Sequence, residues 1–537
     1  MNNLLTDVLI IGSGGAGLRA AIEARRKGVN VLLISKSKLG LANCTASAMG
    51  AFRISQKESV AEHFRETLEA GRFLNNPCLA RILATKSWFA INELRQFGIR
   101  LLMEKDKASI IAEKTPAGTV LSKALSNHAL SLGVNVLEKT FAFDLLVEGN
   151  KCFGALAFKR DTGEIIVISA KAVIIATGGY AGLYIRKDNP PTITGDGLAL
   201  AFKAGVELQD LEFIQFQPMF IDVKVPRMPI LDWLIEATKN LVPGGALVNK
   251  KEERFLGKYE LLKQQILRDN LTVAIEREIF DGKGFNDSVV FDLTPLSPEE
   301  IEGAFDFEFY RYVIRSFKHI LATRKLHIAS FAHYTMGGIR INENCETKIE
   351  GLFAAGEVTS GVHGANRLGG NALTEVIVFG TIAGQQAAEY AMQTKLSMMD
   401  KKQIKQGKRI LQEFGVKAKP KKVDPTLVKS DVRLIISKFC RPVRSERELT
   451  FALEKLRKIK ENAQLMFADN PNMMKEALEA DFMLLLANLI VNSALARKES
   501  RGSHFRVDYP QSDDKSWLKN IVITREGSSP KIHYASL

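Results

Sequence analysis

Asp7-Val-Leu-Ile-Ile-Gly-Ser-Gly-Gly-Ala-Gly17 is the stretch on which the fold turns. Val8 to Ile11 is an unbroken apolar run, as in a strand covered on both faces. It leads directly into Gly12-Ser-Gly14-Gly15-Ala-Gly17, then a helical pattern through Arg26 and a second strand pattern from Asn30 to Ile34. Strand, GxGxxG turn and helix in that order predict a dinucleotide-binding βαβ unit. Gly12 permits the tight turn, Gly14 lets the backbone approach a pyrophosphate, and Gly17 lets helix and strand pack closely. The free amides opening that helix favour phosphate charge. At the end of the second strand, where an acid would take a ribose of NAD, stand Ser35 and Lys36, which weakens an NAD reading and leaves the ribose partner open.

Two further apolar runs end in glycine far along the chain, Lys171-Ala-Val-Ile-Ile-Ala-Thr-Gly-Gly179 and Gly351-Leu-Phe-Ala-Ala-Gly-Glu357. They predict one nucleotide-binding domain assembled from distant segments, long enough to hold FAD. Residues 226–345 have their own helical and strand patterns, punctuated near Pro243 and at Pro295 to Pro298, and read as an inserted domain. After Met392 the chain turns Lys-rich, with a basic stretch at Lys417 to Lys422 and helical spacing over Leu449 to Ile459 and Met473 to Ala496. The fold class expected is therefore α/β. A Rossmann-like FAD-binding domain spans 1–225 and 346–395, an α+β capping domain 226–345, and a C-terminal helical domain 396–537, with an irregular tail from Arg501.

With 537 residues, 46% of them apolar and 25% charged, the chain is a multi-domain globular protein. Apolar runs such as Val8 to Ile11 and Ala172 to Ala176 fall far short of a membrane helix, and no basic leader with an apolar region precedes the first strand, so a cytoplasmic location is expected. The net charge of +14 is spread along the chain, not gathered with aromatics, which argues against nucleic acid; an anionic substrate, an acidic partner or a peripheral membrane face would suit it. Cys44, Cys78, Cys152, Cys345 and Cys440 are dispersed, without the spacing of a cluster or zinc site, so no metal is expected here.

Six further blocks carry a more specific likeness: Ala176-Thr-Gly-Gly179; Asn189-Pro-Pro with Thr194-Gly-Asp-Gly197; His333-Tyr-Thr-Met-Gly-Gly338; Ala354-Ala-Gly-Glu357; His363-Gly-Ala-Asn-Arg-Leu-Gly-Gly-Asn371; and Glu499-Ser-Arg-Gly-Ser-His504. In this order, over nearly the whole chain, they resemble the flavoprotein subunits of the fumarate reductase and succinate dehydrogenase family, which also includes aspartate oxidase. The resemblance implies a two-part FAD domain, a mobile cap and a helical C-terminal domain. It implies FAD held by the glycine turn with Ser35, Lys36, Thr45, Thr177, Gly178, Asp196, Glu357, Asn371 and Leu373, the turn from Leu368 to Ala372 lying against the flavin. The family's covalent flavin histidine is matched by Cys44, so dissociable FAD is expected, with Cys44 an inert thiol in preference to a cysteinyl link.

For the chemistry, the resemblance implies hydride exchange with flavin N5 at a C–C bond of a carboxylate substrate. Arg268 would be the proton donor and Glu236 and Lys239 its relay, with Lys standing where the family usually has Arg. His333 and Arg367 match the groups holding one carboxylate. Where the family holds a second carboxylate with a histidine and a threonine, this chain has Gln217 and Ile235, a site less fit for a second charge. A separate iron–sulfur protein would exchange the electrons. The alternatives are an aspartate-oxidase-like enzyme and a non-catalytic FAD electron-transfer or scaffold subunit.

Overall fold

The computed structural model describes residues 2–113, 115–221, 245–259, 268–297, 299–300, 322–396, 405, 409, 411–414, 422–527 and 529–537. The strand Asn2–Ile11 lies parallel to Val31–Ile34, with Ile11 opposite Ile34, and parallel to Ile165–Ile175, with Ile11 opposite Ile175. Leu352–Ala354 joins the latter, also parallel, so Ala354 comes level with Ile175. Asn135–Leu137 extends the sheet on one side, and the antiparallel pair Lys151–Lys159 and Thr140–Glu148 extends it on the other. The parallel strands can be apolar throughout because both faces are covered: Val8, Leu9, Ile10, Val173 and Ile174 are wholly buried.

Helix Gly15–Arg26 covers one face, with the long helix Asn371–Gln393 packed along it. Close approach depends on Gly380 and Gly384. A side-chain carbon at Gly384 would run into the Ala20 carbonyl oxygen, and one at Gly380 would lie 2.9 Å from that of Ala16. The parallel strands end together, so Gly12, Ser35, Ala176 and Ala355 form one rim, as expected of ligand-binding parallel sheets.

A second, antiparallel sheet runs Ile214–Phe220, Lys325–Thr335, Val289–Asp292, Ala246–Val248. Helix Arg268–Phe280 packs on it, tied by Thr272 Oγ1 donating to the Phe216 carbonyl at 3.1 Å. Its first strand precedes residue 226, so the sheet joins the inserted segment to the chain before it.

Helices Pro425–Phe439, Glu446–Ala463 and Pro471–Ala496 pack together, opened by Asp424, Ser445 and Asn470, whose side chains cap the first turns. The last of these qualifies the expectation that every apolar run is far too short for a bilayer. At 26 residues it is long and apolar enough to cross one by length and composition, yet most of its apolar window is buried within the protein and its Glu479 pairs with Lys36 and Lys429. The tail expected to be irregular is also corrected. Lys519–Glu526 and Ser529–Ser536 form a hairpin, and the first strand pairs with Leu208–Gln209. Ile521, Val522 and Ile523 are buried there, an apolar triplet too short to stand out in the sequence.

Candidate active site

The glycine turn closes as its spacing requires. Gly12 sits at φ +116, where a side-chain carbon would meet the Ala176 carbonyl, and one at Gly17 would meet the carbonyl of Gly12. Gly17 therefore lies under the turn, out of the cleft. Gly12, Gly14 and Gly15 line the cleft with Ser35, Lys36, Cys44, Thr45, Thr177, Gly178, Asp196 and Glu357, around a space of about 870 Å³ including its open mouth. The helix behind it starts after Gly14 without an acid in its first turn; the Gly15 amide donates to Thr45 Oγ1 at 3.0 Å, and the N-terminal end of the helix favours an anion.

Two buried polar atoms on the cleft-lining residues, Thr177 Oγ1 and Asn43 Nδ2, find no partner among the described residues. Buried polar groups in native proteins are nearly always bonded, so both fit a site built for a polar ligand. Glu357 points the same way: burial pushes its carboxyl up to about 7, against the hydrogen bond it accepts from the Thr335 amide at 3.1 Å.

Lys36 is turned to protein acids. Its ammonium reaches Asp196 at 2.5 Å, Thr194 at 2.9 Å and Glu479 at 3.1 Å. Burial opposes its charge, but the two carboxylates outweigh that and raise its pKa. Ser35 bonds Ser13 through the two hydroxyls at 2.7 Å. The Cys44 thiol donates to Asn189 Oδ1 at 2.7 Å. Asn371 is not brought to the cleft by its side chain, because Oδ1 is bonded to His63 and Nδ2 to Thr67, and Leu373 lies outside the lining as well. Sequence reasoning missed Asn43, Phe141 and Ile193 in the lining. Asn43 carried a signal, since its Oδ1 caps the short helix Cys44–Ser47, the use to which Asn before a helix is often put.

Beside the cleft is a polar cluster drawn from four segments. Arg367 Nη2 donates to His333 Nε2 at 3.1 Å, and His333 Nδ1 lies 2.7 Å from Asp188 Oδ2. A guanidinium only donates, so Nε2 must be the acceptor and Nδ1 carries the proton to Asp188. Gln217 Nε2 donates to the same Asp188 oxygen at 2.7 Å. Asp188 is the residue the sequence did not reveal. It joins His333 and Gln217, which the sequence pattern assigns to opposite ends of a substrate.

Arg367 is 6% exposed, its guanidinium lies 4.7 Å from the Tyr334 ring centre, and its Nη1 donates to the Leu368 carbonyl. Among the described residues no carboxylate lies within ion-pair distance of it, and Nε has no partner. Burial lowers its pKa while neighbouring acidic groups act in the other direction. A buried cation without a direct counter-ion is costly unless an anion arrives.

Arg268 is the first residue of the helix Arg268–Phe280, which packs on the strands carrying Gln217 and His333. The next residue, Asp269, is buried and accepts from Arg72 Nη2 at 2.7 Å. Arg501, held on both nitrogens by Glu499, donates to the Arg72 carbonyl, so the C-terminal block props this loop. Glu236, Lys239 and Ile235 lie outside the described residues.

The family model described as an FAD binding domain matches residues 7–373, and that described as the fumarate reductase flavoprotein C-terminus matches residues 429–537. An uncharacterized FAD-dependent oxidoreductase of Methanocaldococcus jannaschii is 36% identical over 96% of each chain. One subunit of the fumarate reductase (CoM/CoB) of Methanothermobacter marburgensis is 31% identical over 97% of each chain. The solved Escherichia coli quinol fumarate reductase flavoprotein superposes with a TM-score of 0.87 at 26% identity, covering 100% of this chain and 97% of that one. The cofactor is FAD.

Proposed function

Because this chain belongs to the fumarate reductase and succinate dehydrogenase flavoprotein family, FAD-dependent oxidoreductases acting on CH–CH bonds, we propose that Arg367 holds the carboxylate of its substrate beside the bond that is reduced or oxidised, with His333, whose Nε2 accepts from Arg367 and whose Nδ1 donates to Asp188, fixing the guanidinium. Bound FAD supplies the hydride chemistry. Arg367 orients the substrate and stabilises the negative charge that grows toward the carboxylate in the reductive direction, and His333 positions its guanidinium. Arg268 delivers a proton to the carbon next to the one that receives hydride, and Glu236 and Lys239 restore it. A free guanidinium is too weak an acid to do this without an immediate source of replacement. The residues proposed to hold FAD are those of the glycine turn with Ser35, Thr45, Thr177, Gly178 and Glu357, without a covalent bond to Cys44.

The observation that carries the reading is the buried Arg367 guanidinium without a carboxylate partner among the described residues, next to a dinucleotide cleft. We place the electron exchange on a separate iron–sulfur protein, because the described residues hold no group of His, Cys, Asp and Glu fit for a metal. The five free cysteines suit a reducing, cytoplasmic compartment, with any membrane association made through a partner. The polar cluster has no role in a non-catalytic scaffold, which ranks that reading lower.

The test compares an enoic acid with its methyl ester as electron acceptors for the FAD-loaded protein and a reduced viologen dye. The acids should turn over and the esters should not. Equal turnover of acid and ester would remove Arg367 from substrate recognition.

A further inference from the structure

Asp188 lies across the His333 ring from Arg367 and beside Gln217. Its Oδ2 accepts from Gln217 Nε2 and His333 Nδ1, both at 2.7 Å, and its Oδ1 accepts from Asn189 Nδ2 at 2.9 Å. All three partners donate, so the group is an acceptor-only carboxylate. A carboxylate has about four acceptor sites, which leaves one on Oδ1. Its side chain is 12% exposed, and among the described residues no Lys or Arg pairs with it.

Gln217 stands where the resemblance expects a donor for a second substrate carboxylate. Here one amide hydrogen goes to Asp188 and the other to Met219 Sδ at 3.8 Å, which leaves its carbonyl oxygen, another acceptor, to meet a ligand. The side of the cluster across His333 from Arg367 thus offers acceptors and one negative charge.

We propose that Asp188 determines specificity. The substrate carries one carboxylate, held by Arg367, and at its other end a hydrogen-bond donor such as a primary amide or hydroxyl, which Asp188 accepts. This rests on the function proposed above and narrows its substrate class. A second carboxylate would meet Asp188 at short range and be repelled, whereas a neutral donor gains a charge-assisted bond. Sites that hydrogen-bond a substrate group discriminate strongly against analogues that cannot make the bond.

Fumarate and its monoamide share the double bond and the first carboxylate, so they isolate the far end. With FAD-loaded protein and a reduced viologen, kcat/KM should favour the monoamide by at least about tenfold. Asp188→Asn and Asp188→Thr should each move that ratio toward fumarate by tenfold or more at unchanged FAD content. The dissociation constants of succinate and succinamate, read from the flavin difference spectrum, should shift in the same sense even in a variant that has lost turnover. Preference of the wild type for fumarate, or a ratio that both variants leave unmoved, overturns the inference while the carboxylate site stands. If neither acid turns over or perturbs the flavin, the proposed function falls and this inference with it.

Discussion

Arg367→Gln removes the cation on which carboxylate recognition depends while keeping a polar side chain at the position. A guanidinium has five N–H groups, and two of the nitrogens already serve the Leu368 carbonyl and His333 Nε2. The remaining hydrogens suffice to meet both oxygens of a carboxylate. Each charge-assisted bond contributes about 1.5–3 kcal/mol, so losing two costs about 3–6 kcal/mol in kcat/KM, a fall on the order of 10²- to 10⁴-fold. Arg367 is not part of the cofactor cleft lining, so FAD occupancy should hold. The assay is steady-state reduction of a carboxylated enoate by reduced viologen, with FAD content measured on the same sample. Arg367→Lys should fall between the two, because an ammonium keeps charge but not the planar fork. A fall smaller than tenfold at full FAD occupancy would refute the reasoning.

Other consequences follow from the same geometry. Gly12→Ala should abolish FAD retention on gel filtration, because at φ +116 its methyl group would meet the Ala176 carbonyl; retained yellow protein would contradict the turn. Burial raises the pKa of Glu357 from 4.5 to about 7. A raised folded value means that its stabilising contribution is complete below the unfolded value and is lost as pH rises through the folded one. FAD-free protein should therefore lose up to about 3 kcal/mol of stability between these two pH values, read from urea midpoints, and Glu357→Gln should flatten the profile. Lys36→Met leaves Asp196 without its lysine and Glu479 with fewer lysine partners, at a cost of about 3 kcal/mol or more, visible as a lower urea midpoint.

Much of the fold was legible because its signals are local. Val8 to Gly17 carries strand, turn and helix start within one short run, and the later glycine-ended strands repeat the same rim. The site was legible where a block carries its own role, as with His333 and Arg367. Asp188 was not, because its partners come from strands 29 and 145 residues away and nothing in Arg186-Lys-Asp-Asn189 hints at them. Asn371 misled for the converse reason: it belongs to the glycine-rich block, but His63 and Thr67, distant in sequence, claim its amide. The terminal hairpin was hidden because Ser529–Ser536 is a largely exposed strand containing Pro530 and Lys531, so only the buried triplet Ile521 to Ile523 carried a signal. Glu479 disguised an apolar helix, because besides the local Lys475 its charge is met by Lys36 and Lys429, both distant in sequence.

The most direct measurement is a single-turnover one. FAD-loaded protein, reduced anaerobically with one equivalent of dithionite, is mixed with carboxylated enoates while the visible flavin band is followed. The account predicts that at least one such acid restores the oxidised band and leaves the saturated acid as product. A flavin that every carboxylated enoate leaves reduced would contradict it.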